Sequence, residues 1–465
     1  MYFLKAIKVV VPIAVVAIGM LFTSCIKDEK ALGGDVIPDD YNLKIGTLRI
    51  NLPLQTRIVD SVQAKSTEGY VGAIRTPEMG LAEFAFGVNY CPTSLKFNFG
   101  KDQIVKTCYI ALIKSTSSVA DKSQEHLLQN FHIYRMKRAI DTVQIYNVWP
   151  KESDYINEPI EEGGLVYAGG DTLRAFLKES FARELLNASQ WALDSSYHFI
   201  DEFKALLFTC NPPVGNGGRL NAFTVSNAHI VLTINYQPTW APNLSRRDTT
   251  FQFVFGVDEI QNFSRYESKS QQSNEFKEYI GVEGIGGLKP YLDPVKLKDS
   301  IDRFLSLYGV EKERFIVARA RYYLPYTNPP VLEDINYYYP AYLYPCYKYV
   351  STSDSQIHEY FPVEDVYTED NNRGLMNRSL GYYYGDISSW VQKLALKEKS
   401  EVTSNGKDAL WFSPLTATTS SSYYSSSSST TYSISVDTYV NGRINGPKHA
   451  NPPYLEIIYT ILPKN

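Results

Sequence analysis

Few side chains in this chain of 465 residues stand at spacings that could do chemistry. Gly284-Ile285-Gly286-Gly287 has the glycine density of a phosphate cradle. Neither a dinucleotide-binding spacing nor a Lys-Ser/Thr ending accompanies it, so it reads as a tight turn between strands. The histidines (His126, His132, His198, His229, His358 and His449) share no helical face at metal-ligand spacing, and no metal or cofactor is expected. A Gly-x-Ser-x-Gly elbow is absent, which removes the commonest hydrolase signature. Glu161-Glu162 and Asp201-Glu202 are carboxylate pairs of a kind common on surfaces, and they do not by themselves suggest glycosidase work. No catalytic residue is assigned, and the chain is expected not to be an enzyme.

The clearest chemistry is a modification. Lys5 and Lys8 precede an apolar run over residues 9–22, broken only by Pro12 and Gly19. That run is short for a bilayer span of roughly 20 residues and reads as the core of a signal peptide. Leu21-Phe22-Thr23-Ser24-Cys25 resembles a lipobox, so residues 1–24 are expected to be removed and Cys25 acylated. Residues 25–45 then form a polar tether, and the acyl chains hold the protein at about 0.8 kcal/mol per buried CH₂. Lys27, Asp28 and Glu29 resemble the surface-export signal of Bacteroidota lipoproteins, which implies outward display on an outer membrane. Cys91, Cys108, Cys210 and Cys346 are widely spaced; a Cys91–Cys108 disulfide and buried free thiols both remain open. Ser61, Thr142, Thr249 and Ser300 each follow an Asp and resemble acceptors of the O-glycosylation sequon of the same bacteria.

The formal charge is only −4 and no basic stripe appears, so a nucleic-acid partner is not expected. Aromatic usage is unusual, with 36 Tyr and 22 Phe against 5 Trp, and it leans towards strands. The densest stretch holds Tyr337, Tyr338 and Tyr339 ahead of Pro340, then Tyr342 and Tyr344. These five form the candidate contact surface, since rings with a hydroxyl suit both sugars and protein partners.

The elements that must position these residues are mostly strands, alternating apolar and polar between turn clusters. Thr172 and Asp386 each read as an N-cap, followed by apolar faces through Leu185 and Leu394. Strand-like runs at 104–113 and 131–136 precede the first helix, and runs at 315–324 and 341–349 precede the second. Runs at 203–208 and 408–412 follow them, and each unit closes on a strand ending in Tyr, at Tyr236 and Tyr459. The pattern predicts an internal duplication: two tandem jelly-roll-like β-sandwiches, each with a short amphipathic helix, over 46–240 and 241–465. The second carries an extra helix at 294–309 and a Ser/Thr-rich stretch at 416–433 that reads as a loop.

The order Leu32-Gly33-Gly34-Asp35-Val36-Ile37-Pro38, Pro77-Glu78-Met79-Gly80, Phe203-Lys204-Ala205-Leu206 and Gly284-Ile285-Gly286-Gly287 resembles a Bacteroidota outer-membrane lipoprotein family known only as a domain of unknown function. The resemblance spans nearly the whole chain, departs at Ala205 where Gly is usual, and brings no catalytic residues. Together these features lead to the expectation of a surface lipoprotein that is an accessory subunit of an outer-membrane protein assembly. Glycan binding is the alternative, and an envelope hydrolase the third.

Overall fold

The computed structural model describes residues 43–59, 62, 66–116, 124–141, 147–239, 243–268, 277–329, 331–350, 358–421, 428–434 and 439–463. Cys25, Lys27, Asp28, Glu29, Ser61 and Thr142 lie outside the described residues, as do the signal segment and nearly all of the tether. Among the described residues no helix is long and apolar enough to cross a membrane.

The protein is mainly β and all its sheets are antiparallel. The chain opens with β1 (Lys44–Asn51), β2 (Leu54–Val59), β3 (Glu68–Thr76), β4 (Gly80–Pro92), β5 (Lys101–Lys114) and β6 (Gln129–Met136). Then come β7 (Tyr155–Ile156), β8 (Leu165–Tyr167), β9 (Thr172–Phe176), three short helices, β10 (Ala205–Cys210), β11 (Gly217–Gln237) and β12 (Arg247–Tyr266). The helices are α1 (Glu179–Leu186), α2 (Gln190–Asp194) and α3 (Ser196–Phe203).

One ten-stranded sheet runs β7-β6-β10-β4-β12-β11-β5-β9, with β3 bridging β11 and β4 and β8 beside β6. It folds over on itself because its long strands change partners. Residues 217–224 of β11 pair with β3, while residues 229–236 pair with β12, and the register shifts between Thr224 and His229. A matching shift separates Phe255 from Ile260 in β12. Such irregularities bend a strand and let it pass between layers. The two layers meet through Phe86, Val88, Phe131, Ile133 and Phe208 on one side and Ile110, Leu112, Phe223, Ile230 and Leu232 on the other.

The rest of the chain supplies β13 (Tyr279–Glu283), β14 (Gly287–Leu292), helix α4 (Pro294–Leu307), β15 (Phe315–Pro325), helix α5 (Ile335–Tyr338), β16 (Tyr344–Val350) and β17 (His358–Pro362). It ends with β18 (Leu375–Asn377), β19 (Tyr382–Asp386), helix α6 (Ser388–Leu396), β20 (Leu410–Ser413), β21 (Leu415–Ser421), β22 (Ser428–Ile434), β23 (Asn441–Asn445) and β24 (Tyr454–Ile461). Two five-stranded sheets, β1-β24-β15-β19-β18 and β17-β16-β20-β14-β2, enclose a second core. Tyr322 of one sheet meets Phe412 of the other with ring centroids 4.9 Å apart.

The same pairings occur in both halves. β11 pairs with β5, and β5 with β9, the strand before α1; β24 pairs with β15, and β15 with β19, the strand before α6. Likewise β6 pairs with β10, and β16 with β20. Each half is completed from outside its expected bounds. β12 lies beside β11 and β4, whereas β1 lies beside β24 and β2 beside β14. The boundary between 46–240 and 241–465 is therefore corrected twice. It cuts the β11–β12 hairpin, and it assigns β1 and β2 to the wrong sandwich. Local periodicity marks a strand but not its partner, and β1 and β24 lie at opposite ends of the chain.

Three local corrections share a cause. Thr172 opens strand β9 rather than capping a helix, and α1 begins only after Lys178, which makes no side-chain cap. Leu173 and Ala175 face the core at a period of two, and pairing with β5 overrides the apparent helical spacing. Asp386 ends β19, yet its Oδ1 still accepts the Ser388 amide at 2.9 Å, so its capping role survives one residue outside the helix. Within the Ser/Thr-rich stretch at 416–433, β21 and β22 form a hairpin in register from Leu415–Ile434 to Ser421–Ser428. Ladder hydrogen bonds order a segment that has little apolar surface to bury. The extra helix forms over α4: Asp293 caps the amides of Val295 and Lys296, and Leu297, Ile301 and Leu305 are buried.

The sandwiches meet where the Gly284-Ile285-Gly286-Gly287 turn joins β13 to β14, with Ile285, Gly286 and Gly287 all at positive φ. Tyr266 donates to the Gly284 carbonyl at 2.9 Å, and Phe84 packs on Tyr439. Beside the turn lie two fully buried ionisable groups. Glu283 Oε2 accepts the Leu288 amide at 2.7 Å and the Ser268 hydroxyl at 2.8 Å, and the Lys289 amine donates to the carbonyls of Glu283 and Gly286. Two carbonyl acceptors and no bonded carboxylate suit a neutral amine, which has two N–H groups. Burial pushes Lys289 down to about 7, with the Glu283 charge opposing, and burial raises Glu283.

In an unfolded chain a lysine titrates near ~10.4. From about 7 up to that value the unfolded chain holds the extra proton, so stability rises with pH, by at most about 1.4 kcal/mol per unit. Below about 7 this group contributes no slope. Thermal unfolding of the native chain and of Lys289→Met at pH 7 and pH 9 should show a gain for the native chain that the variant lacks. Equal slopes would remove the assignment.

Candidate ligand groove

An opening lies at one end of the second sandwich, where β16 and β17 run past β20. Their register sets Tyr347 opposite Phe361. After Pro362 the chain makes a turn of 3₁₀ helix over Glu364–Tyr367 that delivers Asp365 to the start of α6. Asp365 Oδ1 accepts the Ser389 amide at 2.7 Å and Oδ2 the Trp390 amide at 3.2 Å. A carboxylate at a helix N-terminus satisfies amides that lack intrahelical partners. Burial raises the Asp365 carboxyl above its ordinary value, and the amide bonds pull it part of the way back.

Between these elements is a groove of about 580 Å³. Tyr347, Phe361, Leu394 and the edge of Trp390 line it, and Trp390 is pinned by its Nε1 donating to the Lys407 carbonyl at 3.0 Å. Tyr367, 57% exposed, stands at the mouth with its ring against Tyr432. Two ion pairs edge the groove, Lys393 with Glu364 and Lys397 with Asp408, and the Lys407 ammonium lies 5.8 Å from the Tyr347 ring centre. Lys393 holds the exposed Glu364 carboxyl below its ordinary value. Asp365 spends both oxygens on backbone amides, and Asp408 spends its two on Lys397 and on the Thr403 amide and hydroxyl, so Glu364 is the exposed carboxylate of the lining. Rings offer flat apolar faces, and the charged edge offers donors and acceptors for hydroxyls.

The candidate contact surface is corrected by burial. Tyr337, Tyr339 and Tyr344 are buried, and Tyr338 and Tyr342 are half-buried. Tyr337 and Tyr338 belong to α5 rather than to a loop. The Tyr339 hydroxyl reaches the carbonyls of Thr327 at 2.9 Å and Arg443 at 2.7 Å, which lets a large ring be buried without stranding its polar tip. Thr249 is half-buried in β12, opposite Ile234. Ser300 sits on α4 with its hydroxyl donating to the Lys296 carbonyl at 3.1 Å. Sequence reasoning missed Phe361, Tyr367 and Trp390 as lining residues. Residues 360–367 carry no strand or helix periodicity, and their one signal is aromatic density close to Tyr347 and Tyr349.

Cys91, Cys108, Cys210 and Cys346 are free thiols. Burial pushes Cys108 and Cys210 up to about 12 and Cys346 higher still, which leaves them poor nucleophiles. Glu161 of the Glu161-Glu162 pair is buried, accepting the Ile133 amide and facing His132 Nδ1 at 2.8 Å. Among the described residues no group of three His, Cys, Asp or Glu is placed to hold a metal. In comparisons with known proteins, the chain matches no family model and no curated relative.

Proposed function

We propose that the protein is a non-catalytic lipoprotein of the outer membrane, held through Cys25 and displayed outward by the Lys27-Asp28-Glu29 signal, that binds a glycan in the Tyr347–Phe361–Tyr367 groove. The observation that carries this reading is a cleft with the exposed Tyr367 ring, the half-buried Tyr347 and Phe361 rings, and paired charges along its edge. A sugar presents C–H faces to rings and hydroxyls to charged groups, so the two kinds of lining are used together. The tyrosines at 337–344, which suit sugars and protein partners alike, are buried or half-buried and support neither reading over the other. The repeated strand pairings support descent of the two sandwiches from one duplicated unit, although the first takes β12 and the second takes β1 and β2 from beyond its own repeat.

The test is binding of the purified chain to an array of bacterial and host oligosaccharides, followed by titration of the best ligand. Tyr367→Ala, an exposed substitution that leaves the core alone, should weaken binding about tenfold, equivalent to ~1.4 kcal/mol. Retention of no sugar, or equal affinity in the variant, would overturn the assignment. Turnover of the bound sugar would overturn its non-catalytic part.

A further inference from the structure

The outer face of the sheet β1-β24-β15-β19-β18 is not a generic polar surface. Strand register lines up Arg49 of β1, Glu456 of β24, Arg321 of β15 and Asp386 of β19 as one row across the sheet. Two residues along, the next row on this face is Tyr454, Tyr323 and Tyr384, with Tyr382 beside it. Tyr323 stacks on Tyr454 at 4.7 Å and meets Tyr382 edge-on at 5.2 Å. All four rings are half-buried, and Tyr454 has the Tyr323 ring stacked on it as well as the Arg49 guanidinium close to its ring centre.

Three of the four charges in the row are open to a partner, and Asp386 is already engaged by Ser388 and Arg319. The Arg49 guanidinium lies 3.6 Å from the Tyr454 ring centre and Arg321 lies 5.5 Å from Tyr384. Among the described residues none places an opposite charge within 4 Å of Arg49, Glu456 or Arg321, and Arg321 Nε has no hydrogen-bond partner. Asp386 is held by Arg319 at 3.8 Å. Read across the strands, the signs run plus, minus, plus, minus. That order is complementary to its own reverse.

We propose that this face is a self-complementary interface through which two copies of the chain pair. A two-fold axis parallel to the strands and midway between β24 and β15 sets Arg49 of one copy against Asp386 of the other. The same axis sets Glu456 against Arg321, and Tyr454 against Tyr323. Two sheets packed this way adopt the aligned geometry of a sandwich, at roughly 30°. Five strands spaced ~4.8 Å apart and three to eleven residues long, with a mean of about seven, give a face of roughly 500 Å² per copy. About 1,000 Å² in total is the lower limit for a specific interface, so the dimer is a reversible one. Tyr and Arg are the residue types that most often concentrate binding energy at such contacts. A flat polysaccharide could use the rings and hydrogen-bond the charges, but it would not call for signs that alternate in an order complementary to its own reverse.

The experiment is sedimentation of the full chain as purified from cells, in detergent where it carries lipid, alongside Arg321→Glu and Glu456→Arg. In Arg321→Glu the row reads plus, minus, minus, minus; in Glu456→Arg it reads plus, plus, plus, minus. Each repels itself at the two central positions, yet the first is complementary to the second at all four. The native chain should dimerise in the micromolar range, and each variant alone should associate at least tenfold more weakly. Their equimolar mixture should regain the dimer. Thermal midpoints close to native would confirm that both variants fold, and recovery in the mixture would itself show competent surfaces. The proposal is overturned by a native chain that stays monomeric at 100 µM, by variants that dimerise alone, or by a mixture that does not recover. A monomer that instead binds polysaccharide through Tyr323 and Tyr454 would assign the face to glycan.

Discussion

A chain that starts at Glu68, and so lacks β1 and β2, is expected to lose its second sandwich while keeping the first. The deleted strands hydrogen-bond along the full length of β24, at the other end of the chain, and of β14, more than 200 residues away. They also place Ile50, Leu52, Leu54 and Val59 in the second core, each buried. Burying an aliphatic side chain contributes about 1.5–3 kcal/mol, so four contribute roughly 6–12 kcal/mol, comparable to the whole stability of a domain. Removal would leave two strand edges unpaired besides. Amide hydrogen exchange should report lost protection in β15, β16, β20 and β24 and retained protection in β5, β6, β10 and β11. The opposite pattern would restore the boundary expected from sequence, with residues 46–59 serving the first sandwich.

The second large effect is expected at Arg219, among the largest fully buried side chains of the protein. Its guanidinium is caged by neutral oxygens. Nε donates to Asn221 Oδ1 at 2.6 Å, one terminal nitrogen to the carbonyls of Glu125 at 2.5 Å and Gln124 at 3.3 Å, and the other to the Tyr167 carbonyl at 3.4 Å. Asn221 in turn donates to the Val71 carbonyl and to Gln129, so the cage ties β11 to β3 and β6. Burial lowers the Arg219 pKa, but guanidinium remains charged throughout the ordinary pH range. Arg219→Ala would strand several buried acceptors as well as open a cavity, at about 3–5 kcal/mol. A midpoint drop on the order of 10 °C should appear in thermal unfolding. Arg219→Lys should recover little, because an ammonium cannot serve a planar set of acceptors. A loss below about 1 kcal/mol would show that water replaces the guanidinium.

Much of the fold was legible. Alternation gave β5, β15 and β24 nearly to their ends, and the apolar stripe of Leu297, Ile301 and Leu305 with Gly309 behind it located α4. These signals are local: a strand must turn alternate residues inward, and a helix must cap its amides within a few residues. Thr172 shows the limit, since the same apolar residues fitted a helix until pairing with β5 selected a strand. The site was less legible. Tyrosine density pointed to residues 337–344, but density does not say which rings are covered, and α5, β16 and β23 cover most of them.

The sequence by itself determined that this chain builds mainly β-structure with short amphipathic helices. Those properties rest on composition and on periods of two and 3.6 residues, which any stretch of chain expresses alone. Only the tertiary structure decided that β1 and β2 complete the distant second sandwich, that Phe361, Tyr367 and Trp390 share a groove, and that Arg49, Glu456, Arg321 and Asp386 form one row. Each of those facts depends on strand register, which is set where two segments meet and is written in neither one separately.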